Sequence, residues 1–94
     1  MATIERIRMK ITQRQYYLSA HAEEEMMDDG LQRHDIEHAI LKGRIEKRLT
    51  YDIRGTRYRI EGSVPDGRFI HVICRFHASR DLLILTVYAL MEQL

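Results

Sequence analysis

The stretch RYRIEGSVPDGRFIHVICRF, residues 57–76, alternates polar and apolar side chains on either side of a proline–aspartate–glycine turn at residues 65–67. Alternation with period two is typical of half-buried strands, because successive side chains point to opposite faces of a sheet. Proline starts a tight turn and glycine adopts its left-handed position, which predicts an antiparallel hairpin. This turn places Glu61 opposite His71. The apolar pairs in the same register are Tyr58 with Cys74 and Ile60 with Val72.

Two more alternating runs flank this hairpin. Upstream, a two-residue loop at residues 54–55 predicts that Arg48 lies opposite Glu61. Downstream, a slip of one residue would turn every side chain to the other face, and the register that aligns the apolar faces places His71 opposite Tyr88. A polar row then crosses four strands on the face away from the core: Arg48, Glu61, His71 and Tyr88. The remaining upstream pairs are Ile45 with Val64, Leu49 with Ile60, Thr50 with Arg59, Tyr51 with Tyr58, and Asp52 with Arg57.

The first half of the chain predicts three helices. We expect Thr3 to cap the first helix, Ser19 to cap the second, and the third to span residues 33–42 and end at Gly43. The predicted fold class is α+β, with three N-terminal helices packed on one face of a four-stranded antiparallel meander, in a single domain over residues 1–94. The inward face of the last strand is expected to carry Leu83, Leu85, Val87 and Ala89. The side chains expected beneath the helices are Tyr58, Ile60, Val72, Cys74, Leu85 and Val87.

Composition narrows the class of protein. The 94 residues hold no long apolar run and no apolar signal-peptide core, so we expect no membrane span and a cytoplasmic location. A single cysteine, Cys74, excludes an internal disulfide and a cysteine-cluster zinc site. Residues 43–94 hold nine basic and six acidic side chains, and twelve of the fifteen basic residues of the chain are arginine. Arginine matches phosphate geometry, which favours a polyanion such as RNA, although a salt-bridged sheet face without a ligand has the same composition.

The strongest candidate site is the pair of His71 and Tyr88, flanked by Glu61. Histidine titrates near neutrality, and cleavage of RNA by its own 2′-hydroxyl needs a base, an acid and positive charge near phosphorus. His21, beside the cap of the second helix, is a further candidate catalytic residue; alternatively it packs as a neutral histidine at a helix N-terminus. The candidate RNA- or phosphate-binding residues on the same face are Arg48, Arg57, Arg59 and Arg75. The alternative to a reactive site is a polar sheet face with incidental ion pairs.

A metal site is not expected. His34 and His38 have the i, i+4 spacing of zinc-binding helices, but no third ligand is evident in the sequence. We therefore interpret them as part of a solvated helix face, and we predict no metal and no cofactor.

Several short motifs occur in a distinctive order, namely Leu18-Ser19-Ala20-His21-Ala22, Gly30-Leu31, Asp35-Ile36, Gly43, Phe69-Ile70-His71-Val72-Ile73 and Thr86-Val87-Tyr88. In this order, over about residues 4–88, they resemble a small bacterial family of unknown function that is similar to the MqsR and RelE-type toxins. The resemblance implies a helix-backed, RelE/MqsR-like sheet, mRNA cleavage without a metal, and a cognate antitoxin of the zinc-finger MqsA type. By motif it carries over the residues Ser19, His21, His71, Thr86 and Tyr88.

Two hypotheses from different classes follow. The first is a toxin-like endoribonuclease of a toxin–antitoxin pair, acting with the open sheet face on RNA, including mRNA bound to the ribosome. The second is a non-enzymatic module, or a catalytically silent toxin homologue, whose exposed sheet face or edge binds a protein partner.

Overall fold

The computed structural model describes residues 2–50 and 53–91. Within these residues five strands form one sheet in the order β1-β5-β4-β3-β2. The elements along the chain are α1 (Thr3–Thr12), β1 (Tyr16–Leu18), α2 (Ala20–Asp28), α3 (Arg33–Lys42), β2 (Arg44–Leu49), β3 (Arg57–Ser63), β4 (Phe69–Phe76) and β5 (Leu82–Ala89). None of the described helices is long and apolar enough to cross a membrane.

The predicted four-stranded antiparallel meander is wrong, because a short strand lies between the first two helices. In β1, Tyr16 pairs with Leu82, and the two strands run parallel, so the five-stranded sheet is mixed. The helices are accordingly not one uninterrupted N-terminal block. Three residues are too few to show a period-two pattern, so β1 depends on tertiary contacts. Tyr16 is buried in the core, and its hydroxyl donates a hydrogen bond to Glu37 in α3 at 2.6 Å.

The central hairpin agrees with the prediction. Glu61 lies opposite His71, and the apolar pairs Tyr58 with Cys74 and Ile60 with Val72 are also present. The turn is closed by a hydrogen bond of 2.9 Å from the amide of Val64 to the carbonyl of Arg68. Gly67 has a φ of +97°, a left-handed conformation that glycine adopts without steric cost.

The predicted register between β2 and β3 is wrong. Ile45 pairs with Ile60 instead of Val64, and Arg48 pairs with Tyr58 instead of Glu61. The connection is longer than a two-residue loop, since β2 ends at residue 49 and β3 begins at residue 57. A β-bulge between Ile45 and Lys47 also changes which side chains share a face. Two further predicted pairs differ as well: Leu49 lies opposite Arg57 instead of Ile60, and Arg59 lies opposite Lys47 instead of Thr50. The predicted pairs of Tyr51 and Asp52 lie outside the described residues.

The register between β4 and β5 is as predicted at one end and shifted at the other. His71 lies opposite Tyr88 and Ile73 opposite Thr86, as expected. A bulge then follows, after which Cys74 pairs with Ile84, so that β5 has one residue more than β4 in this stretch. The side chains that this insertion turns into the core are Leu82 and Ile84, in place of the predicted Leu83 and Leu85.

The core lies between the helices and one face of the sheet. Of the residues predicted beneath the helices, Ile60, Val72, Cys74 and Val87 are fully buried, whereas Tyr58 and Leu85 are half-buried. The helix α3 approaches β3 so closely that a side chain at Gly62 would overlap the backbone of Ala39. At this point the spacing of β3 and α3 therefore depends on the absence of a side chain at Gly62.

The helix ends differ in how well the sequence predicted them. The hydroxyl of Ser19 accepts the amide of Ala22 at 3.0 Å and so caps α2 as expected, and Gly43 follows the last residue of α3. Thr3 does not cap α1, because Ala2 holds the capping position and Thr3 is already helical.

Candidate functional site

Three side chains form a hydrogen-bonded row across the open face of the sheet. The Nδ1 atom of His71 lies 2.9 Å from the hydroxyl of Tyr88, and its Nε2 atom lies 3.1 Å from Oε1 of Glu61. The rings of His71 and Tyr88 meet edge to face, with centroids 5.3 Å apart. The cross-strand registers of β3, β4 and β5 bring these residues together, because each strand contributes one side chain to the same row.

The chemistry of the three groups determines where the protons lie. A carboxylate only accepts, so neutral His71 carries its proton on Nε2 and donates it to Glu61. Its Nδ1 atom is then an acceptor, and the Tyr88 hydroxyl donates to it. The side chain of His71 is only 12 % exposed and both of its nitrogens are paired. A ligand on the open face would therefore meet this row through the phenol or the carboxylate rather than through the imidazole.

An arginine that the sequence analysis missed completes the row. The Nη2 atom of Arg44 lies 3.2 Å from Oε2 of Glu61, so the carboxylate bridges a guanidinium and an imidazole. Arg44 occupies the place predicted for Arg48, which instead lies over the ring of Tyr58 at 5.7 Å, on the face that carries the core. Arg44 and Arg48 would share a face in a regular strand, and the predicted two-residue loop selected Arg48; the bulge and the observed register place Arg44 there instead.

A second ion pair adjoins this row. Arg59 donates two hydrogen bonds to Glu46, from Nε and from Nη2, the latter 3.1 Å long. These bonds lower the pKa of the Glu46 carboxyl below its ordinary value, and they raise the pKa of Arg59. The phenol of Tyr88 adds to the second effect, because it lies close enough to act on the Arg59 guanidinium electrostatically. Two cations therefore adjoin the row, Arg44 at its carboxylate end and Arg59 near its phenol end.

The remaining predicted phosphate-binding residues lie along the same face. Tyr58 and Cys74 lie opposite each other on the face that carries the core. Arg57 and Arg75 are the adjacent residues of their strands, so both project away from the core. Both side chains are half-buried. Together with Arg59 they place three guanidinium groups beyond the His71 row, as the sequence predicted.

His21 does not join this row in the part of the chain that the structure describes. Its imidazole pairs with Glu25 one turn along α2, at 3.2 Å, and is 65 % exposed. Glu25 in turn accepts the amide of Val87 at 3.0 Å, so this pair lies along the outer edge of β5. A role for His21 in chemistry stays a prediction.

The two histidines of α3 are directed at different partners. His34 lies 3.4 Å from Asp35, whereas Nδ1 of His38 lies 2.7 Å from the carbonyl oxygen of Ser63, to which it must donate. Among residues 2–50 and 53–91, no group of three or more histidine, cysteine, aspartate or glutamate side chains is arranged to hold a metal ion.

Comparison with known proteins finds one family whose sequence profile matches most of the chain. The sequence profile of a domain of unknown function, DUF4258, matches residues 18–89. This segment begins at the end of β1 and includes every residue of the row and the arginines beside it. No curated protein and no solved structure matches the chain. The match confirms the expectation of a family of unknown function.

Proposed function

The chain belongs to the DUF4258 family, and we propose that it is a toxin-like endoribonuclease that cleaves RNA on the open face of its sheet without a metal ion. The observation that carries the proposal is the Glu61–His71–Tyr88 row with Arg59 beside the phenol. A carboxylate that orients an imidazole, which in turn accepts from a hydroxyl, is a recurrent arrangement for moving protons at neutral pH.

The row can accept the proton of the attacking hydroxyl, and water supplies the proton of the leaving group. As the 2′-oxygen of the ribose attacks phosphorus, its proton passes to Tyr88 while the phenolic proton passes to Nδ1 of His71. The resulting imidazolium is stabilised by the carboxylate of Glu61. The bond from phosphorus to the 5′-oxygen breaks, and that oxygen takes a proton from water. The hydroxide left from the water is neutralised by the extra proton of the row, which His71 returns through Tyr88. The products are a 2′,3′-cyclic phosphate and a 5′-hydroxyl.

The arginines supply positive charge where the phosphorane develops negative charge. Arg59 is nearest to the phenol, and Arg57 and Arg75 extend the charge along the strands. Groups that are already oriented before the reaction stabilise a transition state without reorganisation. In this proposal Arg59 is shared between Glu46 and the scissile phosphate.

The resemblance to MqsR and RelE-type toxins supports two partners. The first is single-stranded RNA, including mRNA on the ribosome. The second is a cognate antitoxin, of the zinc-finger MqsA type, which would silence the activity. The alternative is a protein-binding module or a silent homologue, and the experiments below discriminate between them.

The decisive assay is cleavage of a mixed single-stranded RNA, with and without EDTA. We expect the wild type to cleave equally in both, and His71→Ala and Tyr88→Phe to slow cleavage by about 100-fold or more, the usual effect of losing a general acid or base. Tyr17→Phe is the matched control, because Tyr17 is exposed on β1 and lies opposite Leu83, five residues along β5 from Tyr88.

Binding should also depend on salt. Each phosphate contact steepens the salt dependence, so Arg57→Ala and Arg75→Ala should each reduce the slope by about one. If the wild type neither binds nor cleaves RNA at low salt, on or off the ribosome, the endoribonuclease proposal fails. Binding without cleavage, together with growth that is unaffected by induction of the chain, would instead support the silent homologue.

A further inference from the structure

An exposed aromatic side chain lies beside the reactive row. Phe69 is 54 % exposed, although it begins a strand whose opposite face is buried in the core. It is two residues before His71 in β4, so it projects from the same open face. A contiguous apolar patch, rather than a single exposed residue, indicates a contact surface, and Phe69 has Leu90 and Met91 beside it.

Phe69 forms one wall of a groove. The amide of Leu90 donates to the carbonyl of Phe69 at 2.8 Å, which extends the pairing of β4 and β5 past the last strand residue. The groove has a volume of about 560 Å³. Its lining is Glu61, Arg68, Phe69, Leu90 and Met91. Glu61 is thus common to the groove and to the reactive row.

The open face therefore changes from apolar to basic along β4. Two residues of a strand span about 7 Å. On one side of His71, at that distance, lies Phe69 with the apolar groove, and on the other side lie Ile73 and then Arg75. A nucleotide has the same sequence of properties, with a flat apolar base at one end and an anionic phosphate at the other. An apolar peptide or a lipid chain would satisfy the groove but not the arginines.

We propose that this groove is a base-binding subsite, in which a base of single-stranded RNA stacks on the ring of Phe69 while the phosphate of the same nucleotide faces Tyr88 and Arg59. The inference rests on the proposed function and adds to it the binding site for a base of the RNA. Exposed aromatic rings on sheets bind single-stranded RNA by stacking, largely without regard to base identity. The rim is preorganised, because Arg68 donates to the carbonyl of Asp29 at 2.7 Å and to Asp66 at 2.8 Å.

The test uses an uncleavable, 2′-O-methylated RNA oligonucleotide with a fluorescent label, and measures its affinity by anisotropy. Two comparison ligands are the same backbone with abasic residues and inorganic polyphosphate. Phe69→Ala should weaken binding of the base-containing RNA at least about fivefold, the lower end of what the loss of one stacked base costs. It should change binding of the other two ligands less than about twofold.

Two further variants make the result specific. Phe69→Tyr keeps the ring and should retain at least half of the wild-type affinity. Met27→Ala removes a more exposed apolar side chain from α2, 82 % against 54 % for Phe69, and should leave all three affinities unchanged.

The outcomes separate the two proposals. If the wild type binds the RNA and Phe69→Ala binds it equally well, the subsite is wrong and the proposed function stands. If Phe69→Ala weakens polyphosphate binding as much as RNA binding, the residue acts through the fold and the subsite is also wrong. If the wild type binds polyphosphate but not RNA, the proposed function fails and the subsite fails with it.

Discussion

Replacement of Gly62 by alanine should destabilise the fold more than alanine at Gly30, Gly55 or Gly67, where an added Cβ meets nothing within 4 Å. An added Cβ would lie 2.1 Å from the carbonyl oxygen of Ala39, 2.7 Å from its carbonyl carbon and 2.8 Å from its Cα. All three atoms belong to the backbone of α3, so no side-chain rotation can relieve the overlap. The helix or the strand must move instead.

The magnitude follows from what that movement disturbs. An ordinary contact between a methyl carbon and an oxygen needs more than 3 Å, so the two backbones must separate by roughly 1 Å. The face of α3 that packs there buries Ile36, Ala39 and Ile40 completely. Overpacking of a close-packed core costs about 1–3 kcal/mol, and we expect about 3 kcal/mol because the contact is with rigid backbone. A domain of this length unfolds with a free energy of roughly 5–14 kcal/mol, so this loss is large.

Urea unfolding followed by far-ultraviolet circular dichroism measures the effect. With a slope of about 1–1.5 kcal/mol per molar urea, the midpoint should fall by about 2–3 M. Gly30→Ala is the control, because a Cβ there meets nothing within 4 Å and only the φ of +64° opposes it. The cost of that conformation is about 1 kcal/mol. If Gly62→Ala lowers the midpoint no more than Gly30→Ala does, the overlap with the backbone of Ala39 does not destabilise the fold.

Two other predictions concern charge and titration. Glu46→Gln should release Arg59 and so strengthen polyphosphate binding by about two- to fivefold, with a steeper salt dependence. The control Glu24→Gln, on the exposed side of α2, should leave the affinity unchanged. Anisotropy measurements that give Glu46→Gln the same affinity as the wild type would contradict the prediction. Burial raises the pKa of the Cys74 thiol from 9.0 to about 12, so the folded protein at pH 8 should resist a thiol reagent that labels it rapidly in urea. Because the folded-state pKa is the higher one, this group should also reduce the stability of the fold as the pH rises from about 9 toward 12. Rapid labelling without denaturant, followed by mass spectrometry, would count against this burial.

Much of the candidate site could be predicted without coordinates because it lies on a regular hairpin. The turn at residues 65–67 and the alternation on both sides of it determine that Glu61 faces His71. Matching the apolar faces of β4 and β5 added Tyr88, and the hydrogen bonds then follow from proximity. The first strand of the row was predicted incorrectly, because the connection from β2 to β3 is longer than the two-residue loop predicted at residues 54–55 and because β2 carries a bulge. Arg44 therefore stands where Arg48 was expected.

By itself, the sequence determined the features that depend on neighbours along the chain. These are the bounds of α3, the serine cap of α2 and the two faces of the β3–β4 hairpin, since local periodicity and turn chemistry decide them. Tertiary structure alone decided the parallel pairing of β1 with β5, whose partners lie 66 residues apart, and the two bulges. Such features arise from the packing of whole elements against one another. For this reason the Glu61–His71–Tyr88 row could be predicted from the sequence, while Arg44 and the Phe69 groove beside it became evident only in the folded sheet.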